Sequence, residues 1–168
     1  MQVFLLRHGI AAASDPRRYP DDGVRPLLAK GRARIRMGAR GMAKLGIKVD
    51  LILTSPLLRA RQTARATAYG LRPRPEVRVD AGLAPGVPPS EIVERLLSLH
   101  AERLLLVGHE PNLSGLASWL LAGTGGEVSL DFKKGALCGI EFAGKVGPGK
   151  GCLLFHLPPR ALRRLGKT

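Results

Sequence analysis

The chain has 168 residues, is 45% hydrophobic and only 4% aromatic, and carries a formal net charge of +14. This hydrophobic content excludes a disordered protein, and no apolar run is long enough for a transmembrane helix. We expect a single domain over residues 1–168. We also expect a cytoplasmic protein, because Arg7 and His8 interrupt the apolar start where a signal peptide needs its hydrophobic region.

Most of the positive charge lies in the first half of the chain. Residues 1–78 contain 17 of the 27 basic residues but only 5 of the 13 acidic ones. This excess is typical either of a nucleic-acid-binding surface or of a site that attracts phosphate. The basic residues are not interleaved with aromatic ones, and this favours the phosphate site because stacking surfaces for bases are missing. A general bias towards arginine, glycine and alanine also accounts for much of the charge.

The first predicted element is a short strand that ends in polar residues. The apolar run 3–6 is followed directly by Arg7, His8 and Gly9. An uninterrupted apolar run of this length is typical of a strand that is buried on both faces. In an open α/β sheet, ligands bind at the carboxyl edge, so the pattern predicts Arg7 and His8 at the mouth of a site.

A polar loop over residues 13–26 leads into a predicted helix over residues 28–45. The predicted apolar face of this helix comprises Leu28, Ile35, Ala39 and Met42. A second apolar strand, 49–53, ends just before Ser55 and Pro56, which are suited to the N-cap and the first position of another helix. Arg59 would then lie in the first helical turn, at the same sheet edge as His8.

The second half of the chain continues the alternation. Strands are predicted over residues 76–79 and 104–107, and Ser90 is predicted to cap the helix between them. His109 follows the strand 104–107, and Asn112 opens the next helix. Two final strands, 136–142 and 152–157, precede a basic tail, 158–168, which is predicted to be frayed. This order predicts a three-layer α/β/α fold with a mainly parallel central sheet.

The polar residues at three strand ends suit one kind of chemistry. Arg7 and Arg59 are the appropriate donors for a dianionic phosphoryl group, because each guanidinium is a planar fork that stays charged. Neighbouring cations favour the neutral form of His8, which can attack phosphorus and form a phospho-histidine intermediate. His109 can donate a hydrogen bond to a phosphoryl oxygen in the transition state.

These residues resemble the motifs of the histidine phosphatase superfamily, which has the phosphoglycerate-mutase-like fold. The matching segments are Leu6-Arg7-His8-Gly9, Leu53-Thr54-Ser55-Pro56 with Arg59-Ala60 and Gln62-Thr63-Ala64, and Val107-Gly108-His109. The short chain, without room for an insertion domain, and the segment 25–27 before a helix are similar to the SixA-type phosphohistidine phosphatases. The resemblance implies a nucleophile at His8, a phosphate pocket of Arg7, Arg59 and His109, and a further contact from Arg25.

One departure from the broader family concerns the leaving group. Family members that act on phosphomonoesters usually have a Glu or Asp general acid after the third strand, but the loop 81–89 has no carboxylate. Asp80 and Glu91 flank the loop without fitting the motif. An imidazole leaving group, with a pKa of about 6.5, needs protonation far less than an alkoxide does. The missing acid therefore favours phosphohistidine as the substrate, unless Asp80 swings in or the substrate brings its own acid.

We expect a hydrolase that needs no metal or cofactor, because the arginines supply the positive charge. Its expected ligands are a phosphohistidine-bearing signalling or phosphotransfer protein, or a small phosphorylated molecule, with phosphate- or sulfate-like anions in the pocket; neither nucleic acid nor a membrane is expected. Two alternatives stay open. One is a phosphomonoesterase or mutase acting on a small phosphorylated metabolite, and the other is a basic module that binds nucleic acid or an acidic partner.

Three further residues are interpreted as having no catalytic role. His100 is predicted on the apolar face of a helix and His156 in a strand, so both are interpreted as structural histidines. Glu110 is interpreted by default as a solvated loop residue, with contact to the substrate as the alternative.

Overall fold

A mixed sheet forms the centre of the computed structural model, which describes residues 1–99 and 101–167. Within these residues the strands are β1 (Gln2–Arg7), β2 (Leu51–Thr54), β3 (Glu76–Val79), β4 (Arg103–Gly108), β5 (Leu137–Glu141) and β6 (Cys152–Leu157). Their order across the sheet is β3-β2-β4-β1-β5-β6. The pairs formed among β1, β2, β3 and β4 are parallel, whereas β5 runs antiparallel to both β1 and β6.

The helices are α1 (Ala29–Lys44), α2 (Leu58–Ala68), α3 (Pro89–Leu97), α4 (Asn112–Ala122) and α5 (Pro159–Leu165). They cover both faces of the sheet, so successive buried residues of a strand point into two different cores. Leu5 of β1 belongs to the core that contains α3 and α4, whereas Phe4 belongs to the core that contains α2 and Leu162 of α5. The predicted three-layer, mainly parallel α/β/α fold is confirmed. No helix in the described part of the chain is long and apolar enough to cross a membrane.

Two glycines of α1 allow other parts of the chain to approach this helix closely. A Cβ atom at Gly31 would collide with the carbonyl oxygen of Ile10, and one at Gly41 would collide with the carbonyl oxygen of Leu162. Gly31 therefore lets the segment that follows His8 lie directly on α1. Gly41 does the same for α5.

The predicted fraying of the tail 158–168 is wrong for the described residues 158–167. Residues 159–165 form α5, and Leu162 is 1% exposed. Pro159 begins the helix and Leu162 enters the core beside α1, so a single apolar anchor holds an otherwise basic segment. The sequence carries little sign of this buried leucine, because most of its neighbours in the segment are basic.

Three predicted helix details are also wrong. Leu28 precedes α1 and is 43% exposed, so it lies outside the apolar face. The helix after β2 begins at Leu58 rather than at Pro56, with Leu57 at the N-cap position, and the Ser55 hydroxyl accepts from the Leu57 N–H at 3.3 Å in the turn before the helix. Ser90 lies inside α3, which begins at Pro89, where a proline satisfies the first position because it lacks an N–H group. The prediction for His100 lies outside the described residues.

Candidate active site

The three polar strand ends meet because their strands are neighbours. In the sheet, β4 lies between β2 and β1, and Arg7 pairs with Gly108 while Thr54 pairs with Val107. The ladder continues one step further, since the backbone N–H of His8 donates to the Gly108 carbonyl oxygen at 3.1 Å. The sheet therefore brings the residues after β1, β2 and β4 to one edge, as the sequence predicted.

His8 has a defined protonation pattern. Its side chain is buried, with 6% of the residue exposed, and Nδ1 lies 2.7 Å from the carbonyl oxygen of Gly9. A carbonyl oxygen only accepts hydrogen bonds, so Nδ1 carries the proton and donates. In the neutral ring, Nε2 therefore keeps its lone pair. The Gly9 N–H in turn donates to Thr63 Oγ1 at 3.0 Å, which fixes the turn after β1 to α2.

The surroundings of His8 favour its neutral form. Burial lowers the pKa of His8 to about 3; the hydrogen bond to the Gly9 carbonyl opposes this shift, while His109, Arg59 and Arg7 reinforce it. At neutral pH the imidazole is therefore uncharged. An uncharged ring with a free lone pair is the nucleophilic form of histidine.

His109 lies beside His8, with the two ring centroids 5.0 Å apart. Its Nε2 is 2.8 Å from the hydroxyl oxygen of Ser55, and its Nδ1 is buried without a partner among the described residues. Burial lowers the pKa of His109 to about 4, and the positive charge of Arg59 contributes to the shift. Ser55, which the sequence suggested as a helix cap, instead contacts the second histidine of the site.

Two arginines complete the site predicted from the sequence, Arg59 buried and Arg7 partly buried. Arg59 is 5% exposed, and its Nη1 donates to the backbone carbonyl oxygen of Asp22 at 2.9 Å. Arg7 donates from Nη1 to the carbonyl oxygen of Phe132. In both arginines Nε is buried and has no described partner. Burial lowers the pKa of Arg59, but a guanidinium stays protonated at neutral pH.

Asp22 connects Arg25 to the site, and the sequence reasoning missed this residue. Its carboxylate lies 2.9 Å from Arg59 Nη2 and 2.8 Å from Arg25 Nε. Arg25 also donates from Nη1 to the Ala12 carbonyl oxygen at 2.8 Å. The hydrogen bond from Arg25 is the main reason that the pKa of Asp22 lies below its usual value. The only available signal in the sequence was an acid three residues before Arg25.

The carboxylates considered as general acids have other partners or other positions. Asp80 accepts from the Gly82 N–H at 2.7 Å and from Arg95 Nη1 at 3.2 Å, so it is held on the loop 81–89. Glu91 is exposed in the first turn of α3. Neither is joined to His8 or His109 by a hydrogen bond or an ion pair in the described structure.

Glu110 and His156 are both partly buried. One carboxylate oxygen of Glu110 accepts from Ser114 Oγ at 2.7 Å, and the other is buried without a described partner. The interpretation of Glu110 as a solvated residue is therefore wrong. His156 packs edge-on against Phe132 with ring centroids 5.0 Å apart, which agrees with a structural role.

Residues 3–84 match the family model described as histidine phosphatase superfamily (branch 1). An uncharacterised protein of Picosynechococcus is 40% identical over 145 residues, which cover 84% of this chain and 85% of that protein. The phosphohistidine phosphatase SixA of Escherichia coli K12 is 40% identical over 63 residues, which cover 38% of this chain and 37% of SixA.

A solved structure is similar to this chain over almost its whole length. The protein histidine phosphatase SixA complexed with tungstate superimposes with a TM-score of 0.83 and 27% identity, covering 96% of this chain and 99% of that one. The similarity therefore extends beyond the segment matched by the family model.

Proposed function

Because the chain belongs to the histidine phosphatase superfamily, we propose that it hydrolyses phosphohistidine in a protein by way of a phospho-histidine intermediate on His8. The predicted membership of the superfamily, with its SixA-type branch, is confirmed. Phosphohistidine as the substrate rests on the arrangement of the site and on the similarity to SixA.

One observation carries the proposal. His8 has its proton on Nδ1, and the neighbouring residues Arg7, Arg59 and His109 each have a buried nitrogen without a described partner. Burying an unpaired donor costs about 1–3 kcal/mol, and a ligand oxygen that accepts from it removes this cost. Three such nitrogens around a nucleophile support a bound phosphoryl group with several acceptor oxygens.

In the first step, the lone pair of His8 Nε2 attacks phosphorus and the phosphorus–nitrogen bond of the substrate breaks. The electron pair of that bond stays on the leaving imidazole, which takes a proton from solvent. In the second step, water attacks phospho-His8, the electron pair returns to Nε2, and inorganic phosphate leaves. Arg7 and Arg59 hold the phosphoryl oxygens in both steps, as guanidinium forks commonly do.

His109 is proposed to donate from Nδ1 to a phosphoryl oxygen. In a neutral ring this requires Nε2 to accept, and the Ser55 hydroxyl at 2.8 Å is the available donor. Ser55 is therefore a positioning residue that selects the tautomer of His109. Arg25 takes a further positioning role through Asp22, which it shares with Arg59.

The hydrogen bonds that Asp80 already makes support an imidazole leaving group. Loss of a general acid typically lowers the rate of phosphomonoester cleavage by about 10²–10⁴-fold. Asp80 is held by Gly82 and Arg95, and the rest of the loop 81–89 has no carboxylate. An imidazole can take its proton from solvent because its pKa is about 6.5, so the site suits phosphohistidine better than a sugar phosphate.

A trapping experiment tests the proposed mechanism. A carrier protein labelled with ³²P on histidine is mixed with the enzyme, quenched in alkali and separated by size. We expect label on the wild-type enzyme and on a His156→Asn control, but none on His8→Ala. Label on His8→Ala, or full activity of that variant, contradicts the mechanism. Turnover of a sugar phosphate that equals or exceeds that of phosphoramidate contradicts the proposed substrate class.

A further inference from the structure

Positive charge is concentrated on one face of the sheet. Helices α1, α2 and α5 contain no acidic residue, and their basic residues are Lys30, Arg32, Arg34, Arg36, Arg40, Lys44, Arg59, Arg61, Arg65, Arg160, Arg163 and Arg164. The helices on the other face, α3 and α4, contain Glu91, Glu94 and Arg95 as their charged residues. The excess positive charge of the helices therefore lies on the side of the sheet that α1, α2 and α5 cover.

Four arginines of this face form a row without counterions. Arg32, Arg36 and Arg40 follow each other at four-residue intervals along α1, so they lie on one stripe, and Arg65 lies on the adjacent α2. All four are exposed, and no ion pair joins any of them to another described residue. Like charges at this spacing destabilise a helix, and an acidic ligand would relieve the repulsion.

The row lines a groove between α1 and α2. A hollow of about 230 Å³ is lined by Arg32, Arg36, Gln62, Arg65, Ala66 and Tyr69. A second hollow of about 270 Å³ is lined by Arg36, Arg40, Tyr69 and Gly70. The two hollows share Arg36 and Tyr69, so they form one continuous surface, which we call the arginine groove.

One end of the arginine groove is connected to the active site. Gln62 Oε1 accepts from the backbone N–H of Leu27 at 2.7 Å. Leu27 is two residues beyond Arg25, which shares the Asp22 carboxylate with Arg59. A ligand lying in the groove would therefore reach the loop that borders the catalytic arginines.

We propose that the arginine groove binds an acidic helical segment of the phosphorylated protein substrate. Glutamates four residues apart on a facing helix repeat at the spacing of the arginines, and each guanidinium can bind a carboxylate through two N–H groups. The proposal rests on the proposed function for the identity of the substrate as a protein. It adds where that protein docks and what its surface carries.

An acidic helix fits this groove better than a single-stranded nucleic acid does. Nucleic acids without secondary structure are usually held by stacking on exposed aromatic rings. Tyr69 is the aromatic residue that lines the groove, and the Arg74 guanidinium covers its ring at 3.9 Å from the centroid. The groove therefore offers several guanidinium groups but a single aromatic ring, and Arg74 already occupies one face of that ring.

The test uses two helical peptides that each carry one phosphohistidine. One peptide has glutamates at four-residue intervals, and the other has glutamines at the same positions. We expect wild-type kcat/KM to be about tenfold higher for the glutamate peptide at low salt, and this preference to fall at high salt. The Arg36→Glu/Arg40→Glu variant should lose the preference while keeping its turnover of phosphoramidate.

A matched control separates docking from overall charge. The Arg160→Glu/Arg164→Glu variant makes the same change in net charge at the same spacing, on α5 outside the groove, and we expect it to keep the preference. Equal turnover of both peptides by the wild type, or the same loss in both variants, overturns the proposal. Binding of single-stranded RNA that exceeds binding of the glutamate peptide and is lost in the Arg36→Glu/Arg40→Glu variant also overturns it.

Failure of docking and failure of the proposed function give different results. If neither peptide nor phosphoramidate is turned over, the phosphatase proposal fails. Docking is then still measured by the fluorescence anisotropy of the unphosphorylated glutamate peptide. Binding that is lost in the Arg36→Glu/Arg40→Glu variant and kept in the α5 control supports the arginine groove, and any other pattern contradicts it.

Discussion

Asp22 binds the guanidinium of Arg59 twice, through its backbone carbonyl oxygen and through its carboxylate, each at 2.9 Å. In the proposed mechanism a phosphoryl oxygen would replace this carboxylate, because both are anionic acceptors for the same guanidinium. The Asp22 carboxylate would then compete with the phosphoryl group for Arg59, while the Asp22 carbonyl oxygen keeps the arginine in place.

The first prediction concerns this competition. In Asp22→Asn the backbone acceptor remains and the negative charge is lost, so inorganic phosphate should inhibit more strongly. We expect the inhibition constant to fall about twofold to fivefold, the size of an ion pair with a half-exposed partner. Asp21→Asn is the control, because Asp21 accepts from the Gly23 N–H in the same turn without contacting Arg59. An unchanged inhibition constant in Asp22→Asn contradicts the competition.

The second prediction concerns the Ser55 hydroxyl. Ser55→Ala removes the hydrogen bond to His109 Nε2, so the tautomer with Nδ1 protonated is no longer selected. We expect kcat to fall about tenfold, the upper range for one hydrogen bond, with a smaller change in KM. Ser90→Ala, at the other serine that the sequence suggested as a cap, should leave kcat unchanged. A fall in KM alone for Ser55→Ala would contradict the positioning role.

The third prediction is a loss of stability in acid that depends on the two histidines. The pKa values of His8 and His109 are lowered to about 3 and about 4, below the value of 6.5 for an exposed histidine. Between pH 6.5 and those values the unfolded chain binds more protons than the folded one. The free energy of unfolding therefore falls as pH decreases through this window, by about 1.4 kcal/mol per pH unit for each histidine.

Urea unfolding at several pH values between 7 and 5 measures this loss. The His8→Asn variant lacks one of the two titrating groups, so its free energy of unfolding should decline less steeply than that of the wild type. The same steepness in both proteins would show that His8 titrates normally in the folded state, and this would contradict the lowered pKa.

The fourth prediction tests whether the basic tail is part of the core. Leu162 is 1% exposed between α5 and α1, so Leu162→Ala should lower the free energy of unfolding by about 2–4 kcal/mol. Leu165 is 37% exposed, and Leu165→Ala should cost less than about 1 kcal/mol. Equal effects in the two variants would indicate that α5 is not anchored through Leu162. Chemical denaturation monitored by circular dichroism provides the measurement.

The sequence predicted the convergence of the histidines and arginines because the relevant information is local. Arg7, His8 and His109 each lie within two residues of the end of an apolar run, and parallel strands place their carboxyl ends at one edge. The prediction needed only the strand ends, not the loops between them.

The parts that were missed depend on contacts between distant segments. Asp22 reaches Arg59 only because the loop 13–26 folds back over the start of α2, and no local pattern encodes that path. Ser55 fits a cap by composition, but its hydroxyl is used by His109, 54 residues away. Leu162 lies in a basic segment of the sequence. It reaches the core because Gly41, 121 positions earlier in the chain, lets the backbone of α5 approach α1 closely.

The contact between Gly31 and Ile10 limits which substitutions the helix surface tolerates. Because the backbone of Ile10 lies where a Cβ atom at position 31 would be, any larger residue there would displace the segment that begins at His8. Position 31 of α1 thus influences where His8, the proposed nucleophile, lies. In a library of random variants selected for activity, residue 31 should therefore tolerate as few substitutions as an active-site residue, although glycine has no side chain that could react.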